Sequence, residues 1–444
     1  MATHFGASVA VIPHHDLFKS IIARQGARDG SGTEDPGAKP VPLLLSGWRE
    51  TFYLLPAALV AIPYGIAADR VGRKPILLLS FVGILLEGIA TRLICWGYAF
   101  IPLGAVWAAP VFQIFGGGFV ITKAMAYTMI TDVFPSDKRI SIFCVMAAAI
   151  LLAEFVAIPL SMVLTYVKGP WVLSLLGFLC QVVGLITATA LPETHPKLAS
   201  IGEQDNKRQN TSDTPNLEPT GDSNFSNWMA ICKAELETIR EQNPFNARMA
   251  FNASAFLLAS IAEYAASFIV QYTQVAFWDL NLVIAMVLQR DGIALVTLLV
   301  LLPTLCYILN KSMSPATRDL RITQGSTCIF ALGIIIMAFA DRVLIFVVGE
   351  YTLPFGAGFF SALRSLAIAL ALPSRTGLTN TVVCVAQTVG IMMIQPARGY
   401  FSQVGSRLEN LLYVNAAVVF LGAIYVNWAI RAPREDIDSV RDAS

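Results

Sequence analysis

The apolar residues of this chain are gathered into blocks long enough to cross a lipid bilayer, and no other feature constrains its fold as strongly. A helix needs about 20 apolar residues to traverse the hydrocarbon. Eleven segments qualify: 50–69, 76–96, 102–131, 140–164, 170–190, 249–275, 281–309, 322–340, 343–372, 376–399 and 411–430. The composition agrees, since 55% of the 444 residues are apolar and only 14% charged, against about 45–50% and about 25% in soluble domains. The chain reads as an all-α polytopic membrane protein, with the lipid bilayer as its first partner.

Several function classes drop out at once. The formal charge of +1 leaves no basic field for nucleic acid. His4, His14, His15 and His195 lie outside the apolar blocks, whereas a membrane oxygenase needs histidine clusters within them to hold iron. The seven cysteines are scattered without CxxC spacing, so neither a disulfide framework nor a metal site is expected. A GxxxxGK[ST] phosphate loop is missing, which removes ATP-driven machinery. We expect no cofactor, no catalytic residues and no enzyme; the runner-up class, a polytopic membrane enzyme, would need the His clusters or acidic pairs that this sequence lacks.

Residues 191–248 are rich in Asn, Asp, Thr, Ser and Lys and too poor in apolar surface to fold alone, so they read as a disordered linker. It separates an N-terminal half, 1–190, from a C-terminal half, 249–430, with a charged tail at 431–444. Within the first half, 14–46 reads as loop and 1–13 as about a dozen helical residues, too short to span. With the 70–75 loop assigned to the cytosol, 18 of the 31 Lys and Arg fall on that side and 8 on the other. By the positive-inside rule the linker and C-terminus are cytosolic.

One motif stands out: Gly65-Ile-Ala-Ala-Asp69-Arg70-Val-Gly72-Arg73-Lys74-Pro75. Its glycines allow a tight turn between closely packed helices. Asp69 suits the positive end of a helix from the other half, and the basic residues suit an anionic cytosolic surface. A repeat accompanies it. Gly116-Gly117-Gly118-Phe119 and Gly356-Ala357-Gly358-Phe359 stand 240 residues apart, followed by Lys123 or Arg364 and then by Pro135 or Pro373. These glycines read as helix-packing positions.

The 65–75 motif resembles the signature loop of major facilitator superfamily transporters, and the stretches around Gln113–Arg139 and Phe355–Leu366 resemble a fungal, efflux-type branch. The resemblance covers about 40–430. It implies two pseudo-symmetric helical halves that rock about a central cavity, moving a small-molecule substrate, with protons as coupling ion, as a monomer. It further implies export of a small organic metabolite across the plasma membrane, or a vacuolar or vesicular one. Departures are specific. The first helix is curtailed, Gln113 stands where many members carry Arg, and Ala153–Pro159 keeps only the proline of the antiporter pattern. A curtailed first helix would leave the cavity half-built, and a transport-defective relic or regulatory membrane protein is the alternative.

Ionisable residues inside spans are costly and default to functional candidates. Arg92, Glu350 and Arg398 lie near span ends and are expected to reach the interface. Lys123, Glu154, Glu263, Arg290, Asp291 and Arg364 lie deeper and are candidates for the substrate and proton pathway. Glu154 and Arg290 lie at matching depths on helices that pack together in this family, which points to an ion pair. Lys123 and Arg364 occupy matched depths in the two repeats, and Glu263 is the candidate proton carrier.

Overall fold

The computed structural model describes residues 1–28, 41–195, 250–264, 280–371, 375–401 and 422, apart from 99, 102, 251 and 341. Among them every regular element is helical.

The chain opens with α1, Ala2–Arg28, a 27-residue helix with Pro13 inside it. At 1.5 Å per residue it is about 40 Å long. The expected remnant and loop are therefore corrected: residues 14–28 continue the helix, and 41–46 already belong to α2, Val41–Val71. The reason is packing. Thr3, Gly6, Ala10, Pro13, Leu17 and Ile21 are buried at helical spacing, so the polar residues between them occupy the opposite face. Small residues let this face approach its neighbours closely, as in membrane bundles. A Cβ on Gly177 would lie 2.5 Å from the Gly6 carbonyl oxygen, and Ser161 donates to the carbonyl of Val9 at 2.7 Å.

Gly72, at φ 118, ends α2 and turns the chain into α3, Arg73–Trp96. The block 102–131 is not one continuous helix. Two 3-10 segments, Leu103–Trp107 and Ala109–Ile114, lead to Gly116, Gly117 and Gly118 at φ 90, 75 and 51, after which α4 runs over Gly118–Val133. Left-handed backbone of this kind is accessible to glycine at little cost. The first half closes with α5, Arg139–Lys168, and α6, Pro170–Thr189.

In the second half, α7 covers 252–264. Then α8, Leu280–Val296, continues through a π turn at Thr297–Leu301 into α9, Leu302–Leu309. There follow α10, Pro315–Ala338, and α11, Val343–Thr352. A 3-10 turn, Leu353–Gly356, leads to α12, Gly358–Ala369, and α13 is Thr376–Phe401. This second break matches the first in position but not in conformation, because none of its glycines is left-handed. Gly356 and Gly358 are packed against Phe330 and Leu302.

Nine helices among the described residues are long and apolar enough to cross a membrane, and they match nine of the eleven apolar blocks. Of the others, 249–275 is described only over its first half, as α7, and 411–430 lies almost entirely outside the described residues, as do nearly all of the 191–248 linker and the whole 431–444 tail. The halves meet along two seams. Ala57, Ala61 and Ala68 of α2 share a buried cluster with Cys384 of α13. Ile140, Cys144 and Ala148 of α5 pack on Leu298, Leu302 and Cys306.

Candidate functional site

The signature loop lies where the two halves touch. Asp69, in the last turn of α2, accepts hydrogen bonds from the backbone N–H groups of Gly377 at 2.9 Å and Leu378 at 2.8 Å. These are unpaired donors in the first turn of α13, where the helix dipole favours an anion. Arg73 is 2% exposed, so it is not the surface anchor expected of it. Its guanidinium donates to Asp69 Oδ1 at 2.6 Å, Asp132 Oδ2 at 3.1 Å and Thr376 Oγ at 2.9 Å. Two carboxylates offset one buried cation, and Thr376 ties the cluster to the second half. Of the other motif residues, Gly65 lies against Thr381 of α13, Arg70 is exposed, and Lys74 is half-buried.

A second latch faces it across the pseudo-repeat. Arg318, fully buried at the start of α10, donates to the carbonyl of Asp137 at 2.7 Å and to Asp319 at 2.7 Å. Asp137 lies between α4 and α5, so this contact also joins the halves. The chain leaving α6 adds a clasp. Glu193 accepts from the backbone N–H of Arg73 at 2.9 Å and of Lys74 at 3.1 Å, while His195 Nε2 lies 3.0 Å from the Asp69 carbonyl. Burial pushes the Glu193 carboxyl up, but the backbone N–H bonds from Arg73, His195, Lys74 and Thr194 outweigh it and hold the group below the usual carboxylate range.

Beyond the latches lies a cavity of about 510 Å³, a volume suited to a drug-sized organic ligand. All six deep ionisable residues line it: Lys123 on α4, Glu154 on α5, Glu263 on α7, Arg290 and Asp291 on α8, and Arg364 on α12. The Glu154–Arg290 pair is not formed. Arg290 bonds to the adjacent Asp291 at 2.9 Å, and Glu154 Oε1 lies 3.7 Å from Nδ1 of His4. A carboxylate one residue away satisfies Arg290 locally, and α1 brings Glu154 a partner from a segment that did not read as cavity wall.

Arg364 is 2% exposed. Its guanidinium lies over the Tyr127 ring at 3.9 Å and donates to Gln387 Oε1 at 2.8 Å, with longer contacts to Asn380 Oδ1 at 3.4 Å and Cys384 Sγ at 3.5 Å. Positions 380, 384 and 387 share one face of α13, the helix whose N-terminus Asp69 holds. Arg92 and Glu350, two of the three expected at span ends, differ from each other. Arg92 donates to the Ser174 carbonyl of α6 at 3.2 Å, Glu350 is fully buried, and the side chain of Arg398 lies outside the described residues.

Sequence reasoning missed His4, Tyr127, Asp132, Thr376, Gln387 and Glu193. Thr376-Gly377 after Pro373 carries a helix-start signal. His4, Tyr127, Asp132 and Gln387 are single polar or aromatic residues in largely apolar segments, and Glu193 stands in a stretch that reads as linker; only the packing shows which way they point.

The family model described as Major Facilitator Superfamily matches residues 41–394. The chain is 27% identical over 449 residues to "Efflux pump ustT" of Aspergillus flavus, covering 96% of this chain and 86% of that one. It is 28% identical over 409 residues to "MFS efflux pump atnC" of Emericella nidulans, covering 88% and 75%. In fold it is similar to the proton:xylose symporter XylE, with a TM-score of 0.64 at 12% identity over 96% of this chain and 92% of that one.

Proposed function

The chain belongs to the major facilitator superfamily, and from that premise we propose that it is a proton-coupled exporter of a small organic metabolite, working by alternating access. The supporting observation is one cavity lined from both halves, with two polar latches between the halves at the signature-loop end. Rocking the halves apart must release Asp69 from the first turn of α13 and Arg318 from the Asp137 carbonyl; remaking those bonds returns the carrier. Glu263 is the proton carrier in this reading. It lines the cavity, and no hydrogen-bond partner for its carboxylate is found among the described residues, so a cavity proton is free to come and go. Export rather than uptake follows from relatives named as efflux pumps, and the plasma membrane is the corresponding place.

The test compares the medium of cells with and without the full chain by untargeted mass spectrometry. At least one metabolite accumulates outside only when the chain is present, and its export stops when a protonophore collapses the gradient or when Glu263→Gln replaces the wild type. A medium unchanged by the chain sinks the transport reading; export indifferent to the protonophore sinks the coupling alone.

A further inference from the structure

Three arginines are the largest fully buried side chains among the described residues: Arg73, Arg318 and Arg364. A guanidinium cannot lose its charge, and a buried charge is costly unless paired. Arg73 has Asp69 and Asp132, and Arg318 has Asp319. Arg364 has no carboxylate within 4 Å among the described residues; its acceptors are two amide oxygens and a thiol sulfur. It is also the one of the three that lines the cavity.

We infer that Arg364 is the anion subsite of this carrier and that its substrate is an organic acid with an apolar body, which supplies the missing countercharge. Of the five guanidinium N–H groups, three are directed at Asn380, Cys384 and Gln387, and none of the described residues accepts from Nε. An edge of Nε–H and the second Nη2–H suits the two oxygens of one carboxylate. The face of the same group is held by Tyr127, so the plane is set before the ligand arrives. Lys123, one turn before Tyr127 on α4, brings a second cation into the cavity wall, with no hydrogen-bonded or paired carboxylate among the described residues. None of the three cavity carboxylates forms an ion pair with Arg364 among the described residues. Asp291 is engaged by Arg290 and Glu154 faces His4, while Glu263 acts on Lys123 through its charge but forms no ion pair with Lys123 or Arg364 among the described residues. Ile150, Leu151, Leu258, Phe330 and Phe360 offer the apolar body its surface. Because Arg364 belongs to the second half and Tyr127 to the first, the bound anion sits on the seam that opens and closes.

This inference names the substrate class of the transport site and rests on that reading, but it can be tested without flux. The full chain in lipid nanodiscs is titrated with benzoate, 2-naphthoate and octanoate, each against its own neutral amide. At least one acid binds tenfold or more tightly than its amide, and the preference falls to within twofold in Arg364→Gln while Arg364→Lys keeps part of it. Thermal unfolding without ligand provides the second readout. A structural arginine lowers Tm by several degrees when replaced by Gln, whereas a cation awaiting its counter-ion leaves Tm unchanged or raised. No acid preferred over its amide, a preference that survives Arg364→Gln, or a large fall in unliganded Tm each overturns the inference. Charge-selective binding without export from cells would instead overturn the transport reading and leave the subsite standing.

Discussion

The latched face and the cavity floor each bury an arginine to 2% exposure, yet they treat its charge in opposite ways. At the latch, Arg73 lies within hydrogen-bonding distance of two carboxylates and a threonine, and one of those carboxylates also holds a helix terminus of the other half. At the cavity floor, Arg364 is held by a ring face, two amides and a thiol. Among the described residues, charge pairs are complete where the halves lock, and Arg364 has no carboxylate where the proposed ligand would stand. Burial alone therefore does not separate the two arginines; the presence of a neighbouring carboxylate does.

The sharpest way to break this contrast is Arg73→Met. It strands Asp69 and Asp132 beside each other, and a loss of about 3–5 kcal/mol is expected, read by thermal unfolding in nanodiscs; a loss under about 1 kcal/mol would mean the latch is not a structural pair. Arg318→Gln should cost less, about 2–3 kcal/mol, because Ser365 still donates to Asp319; the same assay reads it. Gly116→Ala places a side chain at φ 90 against the Leu79 carbonyl, and about 1–3 kcal/mol is expected from the strain.

Glu193→Gln is a smaller perturbation, about 1 kcal/mol at pH 7, the usual worth of a side chain capping the start of a helix. Its pH dependence has a definite sign. The folded carboxyl lies below its ordinary value, so its contribution is complete above the unfolded pKa of about 4.3 and is lost as pH falls through the lower folded value. The gap between wild type and Glu193→Gln should therefore close on acidification, and a gap that widened would reverse the assignment. Arg364→Gln stands last, with no loss of unliganded stability expected. Equal and large losses at Arg73 and Arg364 would erase the comparison.

Much of the fold was legible because the bilayer writes a long, simple signal: nine apolar blocks coincide with nine apolar helices. Continuity within a block was not legible. Residues 102–131 are apolar throughout, but Gly116, Gly117 and Gly118 break the helix, since hydropathy counts side chains and not φ. The first helix was misread for the complementary reason. His14, His15, Asp16 and Lys19 make the segment look like loop, while Leu17 and Ile21 keep a narrow buried face on α5 and α6.

The signature loop announced its place and the kind of partner Asp69 needs. It did not announce Thr376 or Asp132, which come from 303 and 59 residues away from Arg73. The deep charges could be picked out one by one because each is costly in lipid. Their pairing could not, since matched depth on two helices does not say which side each residue faces. Arg290 is engaged by Asp291, its neighbour in sequence, and Glu154 lies beside His4 instead.

The sequence by itself determined that this chain is a helical membrane protein with a signature loop and a few charges at depth, because the cost of polar atoms in hydrocarbon is local and shows in every window of residues. Only the tertiary structure decided which of those charges are satisfied by the protein. Countercharge is a property of space, and Arg73 and Arg364 look alike until the helices around them are packed.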